Sequence, residues 1–331
     1  MKYLNLYDTM SCYTSASPTF SRPHVSYIVD EDLVIYDDLH PEPEPEKDWS
    51  KEYLTFLALE DGTFKFTRNP INYSLDGGQT WTELAANTTT PTVTAGNKIM
   101  FKGNASITNA GIGTFSSSGN YEAMGNPYSL IYGDAFYGDI TSTARELYGL
   151  FRDSGKREDK VMEKEGAPGL VSAEHLGLPN IPLTMYCYSN MLMGCELLTT
   201  APALPAVTLA GSCYHSMFYG CSSLTTAPAL PSTTLADNCY NSMFASCTSL
   251  TTAPELPAAT LAERCYYGMF FGCPSLNYIK MLATDVTATD CLVNWLDGVS
   301  ATGTFIKHPD ANLESGVNGI PAGWTVQTAT E

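Results

Sequence analysis

The chain has 331 residues, 44% of them hydrophobic and 16% charged, a globular composition with room for two or three domains. Its formal net charge of −18 argues against nucleic acid and anionic membrane as partners, because both would be repelled. No window reaches the apolar length of a membrane span, so membrane insertion is not expected. The opening MKYLNLYDTMSCYTSASP, with one lysine and no apolar run, does not read as an export signal.

Residues 1–38 form a small module. VSYIV and DLVIY alternate on either side of Asp30-Glu31, which predicts a hairpin. Upstream, Tyr3, Leu4, Leu6, Tyr7 and Tyr13 are too many apolar groups for a free tail, so this segment is expected to sit against another surface as an anchoring peg. Residues 39–50 follow, with the alternating run His40-Pro-Glu-Pro-Glu-Pro-Glu-Lys47. Proline stiffness and glutamate repulsion make it an extended, semi-rigid spacer and a domain boundary.

Residues 51–135 predict a small β-sandwich of immunoglobulin-like size. YLTFLAL, GTFKFT, INYSL, TWTEL, KIMFKG and IGTFSS are short aromatic and β-branched runs broken by Asp-Gly, Gly-Gly and Asn-Pro. Ser74-Leu-Asp76-Gly-Gly78-Gln-Thr80-Trp81 fits the S-x-D-x-G-x-T-W box of sialidase-like propellers. It occurs once, and Arg68 is the only arginine between residues 51 and 140, so a hairpin turn is the reading and sialidase chemistry is not.

The stretch 178–281 carries one 26-residue sentence four times, beginning at Leu178, Leu204, Leu230 and Leu256. Cys187, Cys213, Cys239, Cys265 and Cys291 form one column at that period; Cys195, Cys221, Cys247 and Cys273 form another. Self-similarity at a fixed period predicts a solenoid whose rungs touch only their neighbours, since one rung has too little core to fold alone. In each rung, Leu183, Cys187, Tyr188, Met191, Leu192 and Cys195 are spaced as one side of a short helix. Leu198-Thr199-Thr200-Ala201-Pro202 reads as a single-rung strand, and the Leu-Pro pairs turn the chain back. Residues 136–177 hold a worn first rung, Leu147-Tyr148-Gly149-Leu150-Phe151, interrupted by a charged insertion from Arg152 to Gly169. Residues 282–331 hold a degenerate repeat with Trp295-Leu296 and closing strands in GTFIKH and GIPAGWTVQ. The fold class expected is therefore α+β, mostly β: peg, sandwich, and a C-terminal solenoid of 26-residue rungs.

The sentence L-P-x-x-x-L…C-Y-x-x-M-F-x-x-C-x-S-L-T-T-A-P resembles the BspA-like leucine-rich repeats of surface proteins from gut Bacteroides and of phages that infect them, over about 180 of the 331 residues. The resemblance implies binding or adhesion through a curved surface, without catalysis. The opening LYDTMSCYTSASPTFSRPHVSYIVDEDLVIYDD resembles N-termini shared by otherwise different phage proteins of Bacteroides, which implies docking on a capsid or tail protein.

Ten cysteines invite disulfides or metal, but nine lie in the two repeat columns beside Tyr, Met and Phe. Stacked buried thiols are the main reading, with rung-to-rung disulfides and metal as alternatives. No CxxC occurs, and His24, His40, His175, His215 and His308 are scattered, so no metal or cofactor is expected. No nucleophile elbow, zinc-protease helix, P-loop or dinucleotide fingerprint is present, so no catalytic residue is assigned.

Three positions vary among the copies while the core columns stay fixed: Tyr186/Ser212/Asn238/Arg264, Ser189/His215/Asn241/Tyr267 and Met193/Tyr219/Ala245/Phe271. Their spacing puts them on one helical face, and Tyr186, His215, Tyr219, Arg264, Tyr267 and Phe271 are the candidate ligand-binding residues. Unconstrained surface drift is the competing explanation; the Thr199/Thr225/Thr251 and Thr200/Thr226/Thr252 ladders are the rival face. The function expected is a non-enzymatic phage virion protein, a head or tail fibre or decoration. It would be a homotrimer or homodimer that presents its repeats to host-surface or mucus glycans or proteins. A bacterial cell-surface adhesin of the same repeat family is the alternative.

Overall fold

In the computed structural model, the described residues are 47–103, 114–138, 140, 144–152 and 169–330. The expected peg, with Tyr3, Leu4, Leu6, Tyr7, Tyr13 and Cys12, lies outside them, as do most of the spacer and the charged insertion. The chain divides into two units, Met1–Lys47 and Asp48–Glu331. Asp48, Trp49 and Ser50, assigned to the spacer by sequence, belong to the second. A short 3-10 turn spans Trp49–Lys51, Trp49 packs on His175 with ring centroids 4.8 Å apart, and Asn126 Nδ2 donates to the Ser50 carbonyl at 2.8 Å. The described residues are mostly β, with few helices.

All six strand-like runs of 51–135 carry strands: β1 Leu54–Ala58, β2 Phe64–Phe66, β3 Ile71–Ser74, β4 Thr82–Leu84, β5 Lys98–Gly103 and β6 Phe115–Ser117. A seventh, β7 Tyr121–Met124, follows, and then a four-residue helix, α1 Ser129–Tyr132. One sheet has the order β4-β3-β5-β1-β7-β8, where β8 is Leu170–Ser172, and a two-stranded sheet pairs β2 with β6. Alternation drives Phe56, Phe64, Phe101, Phe115 and Tyr121 inward, and Phe56 lies 4.7–5.2 Å from the other four rings. The Ser129 hydroxyl ties the sheet internally, accepting from Leu54 N and donating to the Phe101 carbonyl, each at 3.0 Å.

The sheet does not end at residue 135. Its last strand, β8 Leu170–Ser172, runs parallel to β7, and Ser172 bridges Thr200. The front sheet thus passes straight into the repeats. Parallel bridges continue at Thr226–Thr252 and Thr252–Tyr278, reaching β9 Tyr278–Met281, β10 Thr304–Lys307 and β11 Thr325–Thr328, a parallel sheet in the order β11-β10-β9. The Thr-Thr segments of the copies are single bridges rather than full strands.

The segment expected to be helical is not a helix. In residues 186–195 the odd-numbered N–H groups donate three residues back, as Cys187 to Thr184, Ser189 to Tyr186 and Met191 to Tyr188 do. The even-numbered groups donate to the next copy: Tyr186 to Gly211, Tyr188 to Cys213, Asn190 to His215, Leu192 to Met217 and Gly194 to Tyr219, at 2.7–3.2 Å. Every fourth residue is left-handed, with φ of +61° at Tyr186, +56° at Asn190 and +79° at Gly194. That reversal flattens the winding into linked turns and frees alternate amides for the neighbouring copy. Buried pairs Cys187-Tyr188 and Met191-Leu192 then recur every four residues, close enough to a 3.6-residue period to look helical.

The same bonding repeats through the later copies, ending with Tyr266 to Cys291 and Phe270 to Trp295. Upstream, Leu147, Gly149 and Phe151 donate to Cys187, Ser189 and Met191, which sets Leu147 at the tyrosine position. Side chains stack in register. Tyr188, Tyr214, Tyr240, Tyr266 and Trp295 form a file with centroids 5.6, 5.9, 6.2 and 6.4 Å apart. Phe218, Phe244 and Phe270 form a second file at 5.4 and 5.7 Å.

Candidate binding surface on the turn ladder

Of the three variable columns, one lies at the left-handed corners of the turns and the other two lie just before later corners. Tyr186, Ser212, Asn238, Arg264 and Asp290 share the left-handed corner, with φ between +51° and +61°. The columns of Ser189 and Met193 immediately precede the next two corners. The six candidates are therefore arranged along a ladder of turns, not on the single helical face expected of them.

Their surroundings differ. Tyr186 is half-buried and lies under Arg145, whose guanidinium carbon is 5.0 Å from its ring centroid. His215 is half-buried, and burial pushes its imidazole below the ordinary histidine pKa, so it is neutral at pH 7. Arg264 is exposed but paired: its Nε and Nη2 donate to Asp290 Oδ2 at 3.0 and 2.9 Å, one copy further on. Phe271 is 45% exposed, and Tyr219 and Tyr267 are half-buried. Arg264, Tyr267 and Phe271 share one copy. Tyr219 lies two copies before Phe271, with the buried Ala245 between them in the same column. The arrangement is two aromatic steps flanking a low alanine step, able to take a flat apolar face with polar edges. His215 precedes Tyr219 in its copy as Tyr267 precedes Phe271, and Tyr186 lies one copy further back.

The cysteine columns face the other way. Among the described residues nine cysteines are buried and outside any disulfide: Cys187, Cys195, Cys213, Cys221, Cys239, Cys247, Cys265, Cys273 and Cys291. Cys195, Cys221, Cys247 and Cys273 donate Sγ–H to the carbonyls of Phe151, Leu192, Phe218 and Phe244 at 3.0–3.3 Å. Burial pushes the thiols of Cys213, Cys265 and Cys273 up to about 12 and those of Cys221, Cys239 and Cys247 well above the ordinary value. Among the described residues no group of three or more His, Cys, Asp or Glu is placed to hold a metal ion.

Two further clusters lie elsewhere, the first at the Ser74-to-Trp81 box that the sequence reads as a hairpin turn. At the β3–β4 hairpin, Asp76 accepts from Ser74 Oγ, Thr80 N and Thr80 Oγ1 at 2.7, 2.9 and 2.6 Å, which holds its carboxyl well below the usual range. The turn presents Trp81 to Lys102, whose Nζ is 4.4 Å from the indole centroid and 2.7 Å from Asp134 Oδ1. Asp134 also accepts from Tyr53 Oη at 2.6 Å, so every charge in this group is answered locally. The second is a cavity of about 290 Å³ at the β2–β6 sheet, lined by Lys65, Arg152 and a set of hydroxyls. Single Ser, Thr and Lys residues in alternating strands carry no sequence signal until the strands are paired.

Compared with known proteins, the chain matches no family model, no curated protein and no solved structure.

Proposed function

We propose that this chain is a non-enzymatic structural protein of a phage virion, a head or tail fibre or decoration. Residues 1–38 dock on a capsid or tail protein, and a leucine-rich-repeat solenoid displays a binding surface toward host-surface or mucus glycans or proteins. The reading is supported chiefly by the ladder itself, in which 26-residue copies bond to their successors through the backbone, with inward columns that barely change while three other columns differ. A modular layout adds to this: the division between Lys47 and Asp48 falls where the proline–glutamate run ends. A homotrimer or homodimer suits attachment to a symmetric particle.

The test is particle association. Mass spectrometry of purified virions is expected to find the full chain, and a chain lacking residues 1–47 is expected to be lost from particles while still folding. Recovery only from the host envelope fraction overturns the virion reading in favour of the cell-surface adhesin. For the surface, the double variant Tyr219→Ala/Phe271→Ala is expected to weaken host-cell binding at least about tenfold, as loss of two interface aromatics does. Normal binding by that variant, with unchanged melting, removes the proposed face.

A further inference from the structure

The cavity on the β2–β6 sheet carries a second proposal, independent of the virion reading. Period-2 alternation puts Phe64, Phe66 and Phe115 into the core and leaves Thr63, Lys65 and Thr67 of one strand beside Thr114, Ser116 and Ser118 of the other on the outer face. Lys65 is paired with Ser116 in the β2–β6 register and bridged to Thr89 on its other side. The row Thr89–Lys65–Ser116 therefore crosses the middle of the cavity wall, and Arg152 lines the cavity too.

The outer hydroxyls are already engaged and the central row is not. Thr63 N donates to Ser118 Oγ at 2.9 Å, Thr114 N donates to Thr67 Oγ1 at 2.9 Å, and Thr114 Oγ1 donates to the Gly149 carbonyl at 3.0 Å. Among the described residues, the side chains of Lys65, Ser116 and Thr89 have no hydrogen-bond or ion-pair partner. Arg152 Nε is buried without a partner as well. A buried donor left unmade is costly, so it marks a place where an acceptor belongs. The lining also holds two cations and no carboxylate, in a chain with 35 acidic and 17 basic residues. A pocket near the lower end of the usual ligand range of about 300–1,000 Å³ suits a ligand of one ring.

We infer that this cavity binds a single uronic-acid unit, its carboxylate facing Lys65 and Arg152 and its ring hydroxyls meeting Ser116 and Thr89. Charge-assisted contacts to the carboxylate supply the discrimination, since the hydroxyls alone would accept any sugar.

The experiment is an NMR or calorimetric titration of the full chain with methyl β-D-glucuronide, methyl β-D-glucoside and acetate. The two sugars differ only in the carboxylate. The glucuronide is expected to bind, and the glucoside and acetate to bind at least about tenfold more weakly. Lys65→Gln, at a half-exposed position with no intramolecular partner to lose, is expected to melt like the parent and lose the glucuronide at least about tenfold. Ser116→Ala provides a second variant with the same expectation of weaker binding. Three results overturn the assignment: no glucuronide binding at about 20 mM ligand, equal binding of glucuronide and glucoside, or acetate binding as well as the glucuronide, which would make this an adventitious anion site. Glucuronide binding unchanged in both Lys65→Gln and Ser116→Ala overturns it too, by placing the ligand elsewhere.

Discussion

Each thiol of the Cys195 column closes a bond to a carbonyl one copy back, so it acts as a small, buried donor. Its reactivity should follow. In the native protein none of the nine ladder thiols is expected to react with a thiol reagent at pH 8, whereas all ten cysteines should react once the chain is denatured. Rapid native labelling at any ladder position would contradict their burial. The same shifts set a pH dependence. A thiol ordinarily ionises near 9.0, but Cys213, Cys265 and Cys273 do so only at about 12 when folded. Between those values the unfolded chain holds fewer protons, so stability is intact below pH 9.0 and falls as pH rises toward 12. The urea midpoint should accordingly be lower at pH 10 than at pH 7.5, and an equal or higher midpoint would count against it. Tyr240, stacked on both sides, is expected to cost about 3–5 kcal/mol when replaced by alanine, against less than about 1 kcal/mol for half-buried Tyr267→Ala. Urea denaturation of the two variants separates them.

The linked turns are the element in which sequence reasoning and structure part. The repeat length, the inward columns and the register of Leu147 and Trp295 were all readable, because stacking demands that the same side chain return at the same level. The helix was not, since buried pairs every four residues and a true helical stripe agree over only ten residues. The distinguishing signal lay in the corners. Asn190, Gly194, Gly220, Asn238, Gly268, Gly272, Asn294 and Gly298 fall at corners four residues apart within each copy, and these are residue types that tolerate positive φ. One column tests the point: Gly194, Gly220, Gly272 and Gly298 share it with Ser246, at φ +61°. Ser246→Gly is expected to stabilise by about 0.5–1 kcal/mol and Ser246→Val to destabilise by more than that, because a β-branched side chain resists the left-handed region. Thermal melts of the two variants should move in opposite directions. The candidate surface was legible as a list of variable positions, but the pairing of Arg264 with Asp290 and the burial of Ala245 depend on neighbours one copy away. The cavity wall was not legible at all, because it needs β2, β6 and Thr89 side by side.

For the whole molecule, the expectation of a sandwich closed at residue 135 gives way to a sheet that runs on through β7, β8 and Thr200 into the copies. Alternation located each strand of the front half but could not show that its last edge is parallel and shared. If copies contact only their successors, whole periods should be removable. Deleting residues 204–229, one full copy, brings equivalent columns back into register and is expected to leave a folded, less stable chain. Deleting half that length should abolish cooperative unfolding by circular dichroism. A half-period deletion that folds as well would show that register does not govern the assembly.

Within the linked turns, every amide that crosses between copies points the same way, from Tyr186 toward Gly211, from Tyr214 toward Cys239, from Phe270 toward Trp295. Peptide dipoles so aligned add along the stack as they do along a helix, with carbonyl oxygens gathered at one pole and amide hydrogens at the other. The negative pole falls at residues 145–151, where Phe115 N and Thr114 Oγ1 donate to the Leu150 and Gly149 carbonyls. The positive pole falls at residues 290–298, where Asp290 and Asp297 stand and Asn318 Oδ1 receives the Asn294 amide at 2.8 Å. The ladder of turns is thus electrically polar, and a carboxylate added at residues 290–298 should be welcomed where the same charge at residues 145–151 would be resisted.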